Sequence, residues 1–176
     1  MLRKAALALS GLFLAFLMIG LLLPSRVQVA RTIEIAAPPE RVFPLVNDLR
    51  AFQRWSPWQA PSMAVAFSGP QAGVGARMSW SDDGGAMSGS QTITASEPPR
   101  WVVYGLDFGP GSAAEANMEL EPAATGTRVT WAFGYDIGYD IVGRYIGTLV
   151  KGQVESKYGE GLGRLKALAE TGAATP

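Results

Sequence analysis

The chain contains no histidine and no cysteine. The first absence removes imidazole general bases and Ser-His-Asp triads. The second removes disulfides, thiolate nucleophiles and lipid attachment through cysteine, and together they remove zinc sites of the finger or protease kind. An excess of either charge is missing too: Lys plus Arg and Asp plus Glu number 15 each among 176 residues, which does not suit a basic nucleic-acid binder. A chain that is 48% apolar is not a disordered tail, and its length suits one domain of ~100–200 residues. Any chemistry falls to carboxylates, hydroxyls, amides, Tyr, Lys and Arg. No metal site, cofactor or nucleic-acid partner is expected.

Long apolar runs are also scarce, with one exception. After Arg3 and Lys4, 19 residues from Ala5 to Leu23 carry no charge. As a helix this stretch is roughly 28 Å long, close to the ~30 Å hydrocarbon core of a bilayer. The rival reading is a cleaved signal peptide, whose apolar region is usually ~7–15 residues. The nearest small-x-small site, Val27-Gln28-Val29-Ala30, has Gln28 where a small residue is wanted, and cleavage there would cut into a strand. The expectation is a single-pass anchor over residues 1–25. Arg3 and Lys4 against Arg26 and Arg31 leave a small positive-inside bias that puts the soluble part on the outer, periplasmic side. That part holds 13 of the 15 basic residues against 15 acidic ones, so it has no electrostatic pull toward anionic lipid.

Beyond the anchor, Val27, Val29, Ile33 and Ile35 alternate with polar or small residues, the period of a half-buried strand. Pro38 and Pro39 stop it and open a short helix, which Pro44 should shorten or kink. Asp48 is placed to cap a second short helix through Phe52 to Trp55. Strand patterns follow at 63–67, 76–81, 87–96, 101–108, 114–121 and 127–135, separated by turn-forming clusters. From Val150 to Ala169 apolar residues recur at three and four residue spacing, a terminal amphipathic helix interrupted by glycines that would let a strand or ligand approach.

This order predicts an α+β domain over residues 26–171: a seven-stranded antiparallel sheet curled around the terminal helix, with two short helices after the first strand and a disordered tail at 172–176. Curling leaves room inside. Alternation assigns its lining to Met78 and Trp80; Gln91, Ile93 and Ala95; Val102, Tyr104, Leu106 and Phe108; Ala116, Met118 and Leu120; Val129, Trp131 and Phe133. Arg77, Thr92, Glu115 and Arg128 fall on the opposite face.

Four stretches carry a family resemblance. They are Arg31-Thr-Ile-Glu-Ile-Ala-Ala-Pro-Pro-Glu-Arg-Val-Phe43, Phe52-Gln-Arg-Trp-Ser-Pro-Trp58, the run Phe67-Ser-Gly-Pro-Gln-Ala-Gly-Val-Gly-Ala-Arg-Met-Ser-Trp80, and Gly161-Leu-Gly-Arg-Leu-Lys-Ala-Leu-Ala-Glu170. They resemble the polyketide cyclase/dehydrase and lipid-transport branch of the START/Bet v 1-like (SRPBCC) superfamily. The resemblance implies a helix-grip fold with a hydrophobic cavity between sheet and terminal helix, used across the superfamily for lipids, sterols, polyketides and plant hormones and in some branches for catalysis. Relatives usually carry an apolar residue where this chain has Gln91, and a buried amide needs a partner.

The candidate ligand-binding residues are therefore Trp55, Trp58, Met78, Trp80, Gln91, Tyr104, Met118, Trp131, Phe133 and Tyr158. For the tryptophans, a cavity rim with free indole N–H groups competes with a plain core plug. Gly69 to Gly75 lacks the Lys-Ser/Thr of a phosphate loop and reads as a turn, and Gly143 and Gly147 lack the apolar setting of a membrane dimer motif. The doublet Gly134-Tyr-Asp-Ile and Gly138-Tyr-Asp-Ile puts Asp136 and Asp140 four apart. On one helical face they would repel, raise one pKa and form an acid/base pair; otherwise Asp140 caps a helix. Three functions stay open: a membrane-tethered carrier or sensor of a small hydrophobic molecule, a cyclase or dehydratase using the two aspartates with Gln91 or Tyr104 as polarising donors, and an interaction module with a filled core.

Overall fold

The structure is a computed structural model and describes residues 2–60, 62–82, 84, 88–109 and 112–171. The tail expected at 172–176 and the first residue expected of the strand at 87–96 lie outside these. Helix α1 spans Leu2–Leu22, and the window Arg3–Leu22, with mean hydropathy 2.5, is long and apolar enough to cross a membrane. Strand β1 (Arg26–Ile35) follows after a three-residue link. Helix α2 (Pro39–Asn47) starts on its proline and runs through Pro44 to end one turn later, burying Val42, Phe43 and Val46. Asp48 separates it from α3 (Leu49–Trp55), where its carboxylate accepts the amides of Arg50 and Ala51, two donors that a helix start leaves without intrahelical partners.

Strands β2 (Ala64–Ser68), β3 (Arg77–Ser81), β4 (Ser88–Glu97), β5 (Trp101–Asp107), β6 (Ala113–Ala123) and β7 (Gly126–Asp136) complete one antiparallel sheet of seven in the order β1-β7-β6-β5-β4-β3-β2. Hairpins join successive neighbours. The first strand pairs with the last in full register from Arg26 opposite Asp136 to Ile35 opposite Thr127. Gly126 opens β7 at φ 150, where a Cβ would collide with the backbone of Ile35 and Ala37, so only glycine fits.

The terminal helix α4 (Ile141–Thr171) is 31 residues long and starts nine residues before the pattern that predicted it. Its later turns bury Val154, Tyr158, Leu162, Leu165 and Ala169 in the core. Its first turns, 141–149, pack on α1 and, through the buried Gly147, against Val27 of β1, while Val142, Ile146 and Leu149 stay exposed, so the apolar pattern of the later turns does not extend to them. The curved sheet wraps this helix in a helix-grip arrangement. At Gly161 a Cβ would stand 2.9 Å from Pro57 and 3.0 Å from Trp131, so this glycine is what lets α4 come close to the sheet.

One expected position is corrected by a β-bulge. The β4–β5 register shifts between Ile93 and Ala95, and an inserted residue reverses the alternation beyond it. Ala95 consequently pairs with Val103 on the outer parity, and Ser96, opposite the buried Val102, turns inward to meet the Asn47 side chain at 2.8 Å.

Candidate functional site

The inner face of the sheet is divided along its strands. At one end Ile93, Val102, Met118, Leu120 and Val129 are fully buried and join α2, α3 and the last turns of α4 in one cluster. At the other end the side chains stop short of α4 and leave a cavity of about 710 Å³, inside the ~300–1,000 Å³ range of small-molecule sites. Its walls are mostly apolar: Met78, Trp80, Leu106, Ala116 and Phe133 from the sheet, Phe108 just after β5, Val150 and Val154 from α4, and residues 56–60 and Met63 after α3.

An aromatic partition separates the two ends. The Phe52 ring lies 4.5 Å from Trp55, 5.8 Å from Tyr104 and 5.8 Å from Trp131, and Trp131 stacks on Tyr158 of α4 at 3.7 Å. Edge-to-face and stacked aromatic pairs each add ~0.5–1.5 kcal/mol beyond their buried area, so the partition is rigid. Phe52, Tyr104, Trp131 and Tyr158 also face the cavity as its floor. Trp58, Phe108 and Val150 are partly exposed and form the rim.

Of the ten residues proposed from sequence, eight line this space: Trp58, Met78, Trp80, Gln91, Tyr104, Trp131, Phe133 and Tyr158. Two do not. Trp55 is 1% exposed behind the partition and donates its indole N–H to the Leu45 carbonyl at 2.9 Å, so it plugs the core and has no free donor. Met118 is wholly buried at the packed end, because α2 reaches down to that part of β6. Sequence reasoning missed the connector residues Ser56, Pro57, Gln59 and Ala60, which lie in an aperiodic stretch, Met63, read as the start of a strand, and Lys157, which alternation cannot assign.

Polar groups in the cavity are few. The Tyr104 hydroxyl donates to the Val46 carbonyl at 2.7 Å and so is not free to polarise a substrate. The Trp131 indole N–H is buried without an acceptor. The Gln91 amide is 6% exposed and makes no side-chain hydrogen bond to another described residue. Burial pushes the phenols of Tyr104 and Tyr158 well above the usual range, with electrostatic repulsion by Tyr158 adding to the shift at Tyr104. Both stay neutral at any physiological pH.

The aspartate pair expected at the β7–α4 junction does not form. Asp136 is exposed, accepts the Gly138 amide at 2.9 Å and pairs with Arg26 at 3.0 Å, and the Gly138 bond followed by Arg26 lowers its pKa. Asp140 instead caps α4, accepting the Gly143 amide at 2.9 Å, the position where a carboxylate favours a helix start. Neither lines the cavity, so the acid/base reading loses its geometry. A filled core does not fit a cavity of this size.

Residues 26–170 match the family described as polyketide cyclase / dehydrase and lipid transport. The chain belongs to that family. Among solved structures it is similar to a protein of Rhodobacter sphaeroides, with 15% identity, TM-score 0.62 and coverage of 84% of this chain and 94% of that one. It is also similar to a protein of Mesorhizobium loti (16%, TM-score 0.61, 83% and 98%) and to one of Chromobacterium violaceum (20%, TM-score 0.55, 84% and 99%). At these identities the likeness is one of fold. A comparison with curated proteins finds no match.

Proposed function

We propose that this family member binds a small, largely apolar molecule of lipid or polyketide-like size in the cavity between sheet and α4, as a carrier or sensor held at a membrane by α1. The observation that carries this reading is the unfilled space of about 710 Å³, whose wall holds the Trp131 N–H, buried without an acceptor among the described residues, and also the Gln91 amide. An unmade buried hydrogen bond costs ~1–3 kcal/mol, and a guest carrying one or two oxygens among many carbons would make it. The three-residue link from α1 to β1 keeps the domain close to the bilayer, and the charges of Arg3 and Lys4 favour the outer side for it.

The test is native mass spectrometry of the full chain released from detergent, with extraction of whatever co-purifies. An adduct of defined mass, unrelated to the detergent and displaced by an apolar fluorophore, is expected. A bare chain that also ignores the fluorophore would overturn the proposal.

A further inference from the structure

Outside α1, the large apolar side chains exposed among the described residues are Trp58, Val74, Phe108, Tyr139, Val142, Ile146, Leu149 and Val150. All but Val74 belong to the cavity rim, to the first turns of α4 or, for Tyr139, to the turn that precedes it. Val142, Ile146 and Leu149 recur at four and three residue spacing and form one stripe. That stripe lies between two other sides of the same helix. On one, Ile141 and Tyr145 hold α1; on the other, Val150 and Val154 reach the cavity.

The hold on α1 is specific. Tyr145 donates its hydroxyl to the Phe16 carbonyl at 2.8 Å and stacks on the Phe16 ring at 4.7 Å, while Gly20 leaves no room for a Cβ against Ile141. Arg144 is 7% exposed and donates to the carbonyls of Gly20, Leu21 and Leu23 at 3.4, 2.9 and 3.3 Å. These are the acceptors that the end of a helix leaves open, and in lipid they would otherwise cost several kcal/mol. Phe16 lies six residues before Leu22, so Tyr145 reaches a depth of roughly 9 Å along α1 from its end. The start of α4 therefore runs beside the last turns of the membrane helix.

We infer that the first three turns of α4, with Tyr139, form a second membrane-contacting element: the Val142, Ile146 and Leu149 stripe lies in the headgroup–acyl boundary at the foot of α1, and the cavity rim at Val150 abuts the leaflet. The occupant is lipid because the stripe continues the apolar surface of α1, whose side chains stay exposed along its length. The charge agrees with this: from Ile141 to Val154 there is no carboxylate, and the exposed Lys151 adds a cation, as on an interfacial helix. A hydrophobic guest would then pass between leaflet and cavity without crossing water. This inference rests on the membrane-tethered binding reading above.

The chain has no cysteine, so single labels are clean. Full-length Ile146→Cys and Leu149→Cys, each carrying an environment-sensitive fluorophore, are placed in phosphatidylcholine/phosphatidylglycerol nanodiscs containing lipid spin-labelled either near the headgroup or deep in the acyl chain, beside Val74→Cys and Leu9→Cys. The expected result is a blue shift and lipid quenching at 146 and 149, with a water-like spectrum at 74 and deep-lipid quenching at 9. Water-like spectra at 146 and 149 while 9 is quenched would overturn the inference. So would shielding from water without lipid quenching and with 146–146 crosslinks, which would make a second copy the occupant. The bound-guest reading is scored separately by mass spectrometry. An empty chain with lipid-quenched labels refutes binding alone, and a loaded chain with water-like labels refutes docking alone.

Discussion

The two ends of one sheet face meet the same helix differently. At the packed end, β-branched and unbranched side chains of β4 to β7 interlock with α2, α3 and Leu162, Leu165 and Ala169 of α4. At the hollow end, strands carrying Met78, Leu106 and Phe133 face α4 across open space. The difference does not come from hydrophobicity, which is similar at both ends. It comes from α2 and α3, which cover one end only, and from the Phe52, Trp131 and Tyr158 rings that stop the core from spreading.

The largest effect should separate the ends by truncation. Trp55→Ala should cost about 3–5 kcal/mol, the usual loss for a buried large aromatic, whereas Phe108→Ala on the half-exposed rim should stay within about 0.5 kcal/mol. Urea unfolding of each variant reads the contrast directly, and equal losses would erase the distinction.

Overfilling is the next way to break it. Ala169→Phe at the packed end should lose about 1–3 kcal/mol by strain, while Ala116→Phe, which points into open space, should lose less than about 1 kcal/mol and expel any guest. Thermal melts of the two variants, with native mass spectrometry of the second, provide the measurement.

Much of this contrast was legible in the sequence. Period-two runs located all seven strands to within two residues, the Pro39 and Asp48 signals located both short helices, and the parity of Met78, Gln91, Tyr104 and Trp131 put them on the inner face. The division of that face into filled and hollow ends was not legible, because alternation reports which side a residue faces and is silent on what stands opposite. Met118 was misplaced for that reason, and for Trp55, on α3, the core-plug alternative is the one the structure shows. Ala95 was misplaced by the bulge at Thr94, which no composition signal marked. The early start of α4 was hidden because the residue of its first turns that meets β1 is Gly147, which has no side chain, while Val142, Ile146 and Leu149 are exposed, so no core-facing stripe announced them.

A smaller effect concerns pH. Burial raises the pKa of Tyr158 above its ordinary 10.0, so the folded state holds this proton more tightly than the unfolded chain. The sign follows: stability is unaffected by this group below about pH 10 and falls as pH rises past it, by at most about 1.4 kcal/mol per pH unit. Tyr158→Phe should flatten that alkaline decline in a denaturation series from pH 9 to 11, with Tyr104 supplying what remains. An unchanged slope would mean that the floor of the cavity is wet.

The smallest effect sharpens the polar detail of the hollow end. Gln91→Leu replaces a buried amide with an apolar side chain of similar size and should be neutral or stabilising by up to about 1 kcal/mol in the empty chain. It should also weaken retention of oxygen-bearing guests more than that of hydrocarbons, as competition with the apolar fluorophore would show.

The most direct test of the central claim is a crystal of the full chain exposed to xenon gas, since apolar cavities stay dry and take up xenon. The account predicts xenon, or the density of a guest already seated there, among Met78, Leu106, Phe133 and Val154. Contact of these side chains with one another, leaving room for neither, would contradict it.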